Sequence, residues 1–323
     1  MPTHMRKLII LAVAVGTTLA SGCGSSGGGS SSGKDPRIEV AGLDPTPAGE
    51  NGFQLILPKV TDLAPGGSFE YCTWTDKILD QDLNVKGTQA FQTQGGHHVV
   101  IFYTTKPKPA GTTRLCTDDD MTSVRFGIGG ESKTYNELPA DLAVTIPKGA
   151  QIVAQHHYIN PTSAPLTAQS AINVTFVPPG QAIRQSSSVV VVDSNLRVPA
   201  GKAAVDLHCT INRDYTVWMM LPHMHKYGSY ISVDHTDGAG QTTRLFDLKW
   251  DPEYEFHAPR IIKPVEQAMT LKAGDKMQVH CEWNNDSGGE LSFGQEMCLA
   301  FGQTLDNNGI GNVACDAGQW TTF

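Results

Sequence analysis

Ile152-Val153-Ala154-Gln155-His156-His157-Tyr158 is a short run of branched apolar residues ending in two histidines and a tyrosine. It is too short for an ordinary helix and rich in residues that suit a pleated, half-buried surface, so it reads as a β-strand. The same texture recurs on both sides. Phe53 to Leu57, His98 to Thr104 and Ile172 to Phe176 repeat it in the first half. Ser188 to Val192, Tyr215 to Leu221, Tyr230 to His235, Met277 to Trp283 and Cys298 to Phe301 repeat it in the second. Clusters of Gly, Pro, Asn and Asp separate these runs, and no long stretch carries helical periodicity. The expected fold is all-β, made of antiparallel sandwiches or barrels. The strand pattern breaks most clearly at Val177-Pro178-Pro179-Gly180 and the polar run to Ser187. A cut there gives two domains of ordinary size, 49–182 and 183–323.

The N-terminus has a different character. Met1 to Lys7 is a short basic start, Leu8 to Val15 is unbroken apolar, and Leu19-Ala20-Ser21-Gly22-Cys23 follows. This pattern predicts a secretion signal over 1–22. The small residues before Cys23 resemble a bacterial lipobox, with cleavage before Cys23 and lipid on its thiol. Gly24 to Gly33 is almost pure Gly and Ser, so 23–48 is expected to act as a tether. The expected location is the bacterial cell envelope, with the body held at a membrane by its lipid. The full chain carries a net charge of -8. The signal removes Arg6 and Lys7 and no acid, so the remainder is more acidic still, and nucleic acid is excluded as a partner. Six cysteines remain after Cys23: Cys72, Cys116, Cys209, Cys281, Cys298 and Cys315. An even number in an exported chain predicts disulfides, and six cysteines allow fifteen pairings.

Of the 11 histidines, six fall in three pairs: His97-His98, His156-His157 and His223/His225. One residue separates His223 from His225 in a strand-like stretch, so both imidazoles project from one face as a clamp for a single ion. Adjacent His97 and His98 face opposite ways unless the strand end is twisted or bulged, and Gly95-Gly96 supplies that freedom. For His156-His157 the same alternation sends only one of the two inward. Imidazoles alone do not name the metal. A methionine thioether beside them favours copper, but spacing does not say which of nine methionines comes close.

The motifs together resemble the type II copper, ascorbate-dependent monooxygenases, the family of peptidylglycine alpha-hydroxylating monooxygenase and dopamine beta-monooxygenase. Gly96-His97-His98 and Gln155-His156-His157-Tyr158 are similar to the segments that hold the family's first copper. His223-Met224-His225 and Glu296-Met297-Cys298 are similar to those that hold its second. The resemblance implies two copper ions per chain, one on His97, His98 and His157 and one on His223, His225 and Met297. It implies two tandem antiparallel jelly-roll β-sandwiches with the metals facing each other across a cleft. The implied reaction is hydroxylation of a C–H bond of a small organic or peptide substrate, using O2 and a one-electron reductant such as ascorbate, at the His223/His225/Met297 copper. It also implies the disulfides Cys281–Cys298 and Cys209–Cys315, leaving Cys72 with Cys116.

The chain departs from the family where a carboxylate substrate would be held. The positions of an arginine and a tyrosine there resemble Leu221 and Phe301 here, and Val99 replaces a methionine. Peptide amidation is therefore not implied, and a copper-binding or copper-delivering lipoprotein without turnover is the alternative. A zinc hydrolase lacks a nucleophile or general base beside the histidines. Single histidines His208, His235, His257 and His280 read as surface or packed residues. Asp118-Asp119-Asp120 reads as solvated surface, and Trp250-Asp251-Pro252-Glu253-Tyr254 as either a lining of the cleft or a cap on the sandwich, the cap being favoured.

Overall fold

The longest sheet carries strands from both halves of the chain. Its hydrogen-bonded order is Gly52–Ile56, Ser170–Phe176, Leu83–Gln92, Leu142–Ile146, Arg184–Val192, Leu299–Leu305, Tyr215–His223 and Ile261–Ile262. The computed structural model describes residues 35–131, 135–139, 141–178, 180–181, 183–255, 258–306, 309 and 311–322. Pro36–Phe323 forms one compact unit. The signal, Cys23 and the Gly/Ser run lie outside the described residues. The last part of the segment read as tether is packed: Leu43 is fully buried against Phe91 and Ala171, and Gln169 accepts from the amides of Glu39 and Val40.

Two smaller sheets cover this long one. A five-stranded sheet, ordered Thr112–Leu115, Ser68–Ile78, Gln151–Ile159, Gly96–Thr104 and Arg125–Glu131, lies over its first half. Val99, Ile101, Ile152 and Ala154 from this sheet meet Val85, Ala90, Ile172 and Val174 from the long one in a single core. A four-stranded sheet, ordered Gly201–Thr210, Lys276–Asn285, Gly228–Thr236 and Thr242–Lys249, covers the second half. Ile231, Val233 and Val279 there meet Val189, Val191 and Val217. The fold is all-β, as the alternating strands predicted, and its pairing is mostly antiparallel.

The expected cut between 182 and 183 falls just ahead of the Arg184–Val192 strand, and hydrogen bonding runs across it. Arg184 and Gln185 pair in parallel with Leu142 and Ala143, and the Arg184 amide donates to the Asp141 carbonyl at 2.7 Å. Leu142, Trp218 and Val265 share a small apolar cluster at this seam.

Three disulfides close within the halves, Cys72–Cys116, Cys209–Cys315 and Cys281–Cys298. These are the pairs the family resemblance implied. Cys72–Cys116 brings the segment before the short helix Asp118–Ser123 onto the five-stranded sheet. Thr117 caps that helix, and Asp120 closes the capping box. Asp120 corrects the reading of Asp118-Asp119-Asp120 as solvated surface, since it is only 2% exposed. Lys108 and Arg114 cover it, at 2.7 and 2.6 Å. Burial alone would raise its pKa, but hydrogen bonds from Arg114, Lys108 and Thr117 outweigh that and hold the carboxyl well below its ordinary range.

Candidate metal centre

The first histidine group depends on a bulge. His157 pairs with His98, yet its neighbour Tyr158 pairs with Gly96, so His97 is the extra residue on its strand. The bulge lets two adjacent histidines turn toward the same partner. Both preceding glycines are required. Gly95 has φ +80°, and a Cβ there would lie 2.7 Å from the Ile159 carbonyl oxygen; one on Gly96 would lie 2.1 Å from Gln92 Cβ. Gln92 itself is buried, and its amide donates to the carbonyls of His98 and His157, tying the two strands at this point.

The ligand atoms of His97, His98 and His157 all lie within 4.8 Å of one another. The Nδ1 atoms of His97 and His98 are 3.2 Å apart, close to the ~3.3 Å that separates two nitrogens sharing a tetrahedral ion at bonds of about 2.0 Å. His157 Nε2 lies 2.7 Å from Ser68 Oγ, which orients the ring. Burial and the neighbouring His98, His97 and His225 push its pKa down to about 2. Its imidazole therefore stays neutral, as a ligand must. His156 points the other way. Both of its nitrogens are engaged, Nε2 with Thr73 Oγ1 at 2.9 Å and Nδ1 with Tyr158 Oη at 3.0 Å, so His156 is a core residue.

His223 is the last residue of the Tyr215–His223 strand, and His225 lies just beyond it in a turn. Met224 between them is fully buried. The two imidazoles thus emerge on one side, with ring centroids 5.0 Å apart and planes near perpendicular. Burial, then His225 and His98, push the pKa of His223 down to about 3. Burial also lowers that of His225, against the opposing pull of Glu296 and the Gln295 carbonyl.

Glu296 organises this second group from behind. It is fully buried. One oxygen accepts from the His225 amide (3.1 Å), Trp283 Nε1 (2.9 Å) and the Met297 amide (3.3 Å), while the other accepts from the Tyr227 amide (2.6 Å). One side chain therefore registers the His-x-His segment against the methionine. Trp250 adds a second support: its indole donates to the His225 carbonyl at 3.0 Å. The segment read as a cap thus holds the site.

The two groups open onto common space. His98, His223, His225 and Met297 line one cavity of ≈ 500 Å³, together with Glu70, Met121, Gln155, Glu255 and Phe293. Glu70 pairs with His157 across the strands and its carboxyl accepts from Gln155 at 3.0 Å. It has a solvent-accessible edge in the cavity, but the surrounding protein raises its pKa through desolvation. Glu255 is pushed up to about 8 by burial and by the nearby Glu296 and Glu70, against the pull of Lys226. Leu221 and Phe301 line a separate cavity. Of the single histidines, His235 meets Asp275 at 2.8 Å and His280 meets Asp206 at 2.9 Å. His208 is exposed, and His257 lies outside the described residues.

Convergent imidazoles with a thioether on the same cavity are the donor set of a soft or borderline cation, and the residues present fit copper. Zinc would be served by the three histidines alone.

No protein-family model matches the chain, and no curated protein matches it. Among solved structures it is similar to an atomic structure of the Sulfolobus Turreted Icosahedral Virus, at 8% identity and TM-score 0.22, over 79% of this chain and 61% of that one. It is also similar to the infectious bursal disease virus VP2 subviral particle, at 6% identity and TM-score 0.19, over 83% and 76%. A putative secreted protein from Parabacteroides distasonis aligns at 8% identity and TM-score 0.17, over 79% and 90%. The chain spans 61% of the length of the first of these, and at such scores none bears on function.

Proposed function

We propose that this chain is a copper-dependent monooxygenase that hydroxylates a C–H bond of an organic substrate with O2 and a one-electron reductant such as ascorbate. The observation that carries the reading is the convergence of His98, His223, His225 and Met297 on one cavity, with His97 and His157 beside His98. His97, His98 and His157 would hold one copper, and His223, His225 and Met297 the other. Copper, when bound, supplies the one-electron redox chemistry that O2 activation needs.

The chain's own residues supply the rest. Burial keeps His157 and His223 unprotonated across the physiological range, so protons do not compete with a metal at these two ligands. Glu296 and Trp250 fix the second ligand group before any ion arrives, which lowers the cost of organising it. Met121 and Phe293 give the cavity apolar walls, while Gln155, Glu70 and Glu255 offer hydrogen-bonding groups that orient a substrate. With its raised pKa, Glu255 carries a proton at neutral pH and is able to donate a hydrogen bond. The proposed setting is the bacterial cell envelope, with Cys23 as the lipid-bearing residue.

The test begins with metal content. Elemental analysis of the full chain is expected to find two copper ions, with Met297→Ala and His225→Ala each retaining one. Two ions retained in both variants would remove the assignment. Ascorbate-dependent O2 consumption coupled to a substrate, with labelled oxygen appearing in the product, then tests turnover. A second reading, copper binding and delivery without turnover, is favoured by Leu221 and Phe301 at the positions where the family anchors substrate. Copper transfer to an acceptor, with O2 consumption never coupled to a substrate, would establish it instead.

A further inference from the structure

The three disulfides differ in what surrounds them. Cys72, Cys209, Cys281, Cys298 and Cys315 are buried, none more than 2% exposed. Cys116 is only half-buried, and it lines the cavity that carries His98, His223, His225 and Met297. Its partner Cys72 is packed with Trp74, Val124 and Val153 in an apolar cluster. A small nucleophile that enters the cavity therefore meets this bridge at Cys116, whereas both sulfurs of each other bridge belong to buried residues.

The chain around Cys116 is held without the bridge. Thr112–Leu115 pairs with Ser68–Ile78, Leu115 opposite Tyr71 and Thr112 opposite Trp74. The Cys116 amide donates to the Glu70 carbonyl at 2.9 Å. One residue later Thr117 caps the Asp118–Ser123 helix, and Asp120 ties that helix back to Arg114 at 2.6 Å and Lys108 at 2.7 Å. These links lie on both sides of Cys116, so opening the bridge frees a side chain and leaves the segment in place.

We propose that Cys116 is a site of thiol–disulfide exchange, which takes up a small uncharged thiol from the cavity as a mixed disulfide. The incoming thiolate attacks Cys116 Sγ and the Cys72–Cys116 bond breaks. A new S–S bond joins Cys116 to the thiol, and the proton of the incoming thiol ends on Cys72. One disulfide replaces another, so no outside oxidant or reductant is consumed. Access selects the sulfur that reacts. Glu70 and Glu255 on the cavity wall disfavour a thiol that carries a carboxylate. The exchange goes beyond the copper reading, because it requires no metal. Its consequence rests on that reading: an adduct on Cys116 takes up space in the cavity that both ligand groups share.

The test incubates the metal-free full chain, folded and at mildly alkaline pH, with 2-mercaptoethanol or with mercaptoacetate. Alkylation and peptide mapping by mass spectrometry then follow each cysteine, and each rate is taken relative to that thiol's reaction with a small-molecule disulfide. The adduct is expected on Cys116, with Cys72 alkylated, at least about tenfold faster than any change at the other two bridges. Mercaptoacetate is expected to react more slowly than 2-mercaptoethanol on this relative scale. A variant carrying both Cys72→Ser and Cys116→Ser is expected to keep a cooperative thermal unfolding transition. Equal reactivity of the three bridges, first reaction at another bridge, no adduct before unfolding, equal relative rates for the two thiols, or loss of cooperative unfolding in the double variant would each overturn the proposal. Copper content of the untreated chain, measured separately, distinguishes this failure from failure of the metal assignment.

Discussion

Replacing Glu296 by glutamine removes almost no volume, so its effect isolates hydrogen bonding. Four N–H donors point at the two carboxyl oxygens of Glu296. A glutamine keeps one acceptor oxygen. Its better placement serves His225, Trp283 and Met297 with the carbonyl, which turns the amide nitrogen toward the Tyr227 amide, a donor against a donor at a 2.6 Å spacing. One strong bond is lost, worth about 1.5–3 kcal/mol, and two buried donors are left facing each other at a further cost of about 1–3 kcal/mol. The expected destabilisation is about 3–5 kcal/mol, a large share of the total stability of an ordinary domain. Urea unfolding of the metal-free protein, followed by tryptophan fluorescence, measures it. Copper titration of the same variant is expected to show about 10- to 100-fold weaker binding at the His223, His225 and Met297 group, with the other group unchanged. A variant within about 1 kcal/mol of the parent, binding copper equally well, would refute the role given to this side chain.

Gly96→Ala places a methyl group 2.1 Å from Gln92 Cβ; it is expected to cost about 1–3 kcal/mol and to lower copper occupancy of the first group, both readable by thermal unfolding and elemental analysis. His156 and His157 separate packing from ligation: His157→Ala is expected to lose one copper, whereas His156→Gln is expected to keep both and lose only stability. Asp120→Asn is expected to cost about 1.5–3 kcal/mol at neutral pH, the range for hydrogen bonds to charged groups. Because the folded pKa of Asp120 is depressed, its contribution is complete above the unfolded carboxyl value of about 3.9 and fades as pH falls below it. Parallel denaturation curves of parent and variant from pH 7 to pH 3 should therefore keep a constant gap down to about pH 4 and begin to approach each other below it, and a gap that widens there would contradict the sign.

Much of the fold was legible because strand alternation is a local property. His-x-His on one face follows from two-residue periodicity, and Gly95-Gly96 announced the bulge that His97 occupies. Choosing His157 over His156 was not local: the facing argument left either open, and the family resemblance selected the one whose ring joins His97 and His98. Long-range partners were legible only where the resemblance supplied them, as for the three disulfides; the hydrogen-bonded and ionic ones escaped. Asp120 looked like solvated surface because nothing near it says that Lys108 and Arg114 fold over it. Glu296 was visible only as part of a motif, since three of its donors, the His225 and Tyr227 amides and the Trp283 indole, come from segments distant in sequence. The Trp250 segment was read as a cap because an indole gives no hint of which carbonyl it will meet. The break near Pro178 marks a real change of strand, but the two parallel rungs that carry the sheet across it arise from Leu142 and Ala143, some 40 residues earlier.

The three disulfides impose an order on maturation. A soft cation prefers thiolate to thioether or imidazole. Before its bridges close, the chain presents the six thiols of the later disulfides, and two of them, Cys281 and Cys298, come together beside the Met297 segment in the final fold. Metal reaching the nascent chain at that stage would be captured by sulfur in the wrong places and would hold the second half apart. Oxidation removes those competing destinations and locks the segment that carries Met297 to the Lys276–Asn285 strand in the same event. Under the copper assignment proposed above, the chain is suited to meet metal late, after thiol chemistry has finished, and a compartment that supplied metal ahead of oxidant would yield misassembled protein from an intact sequence.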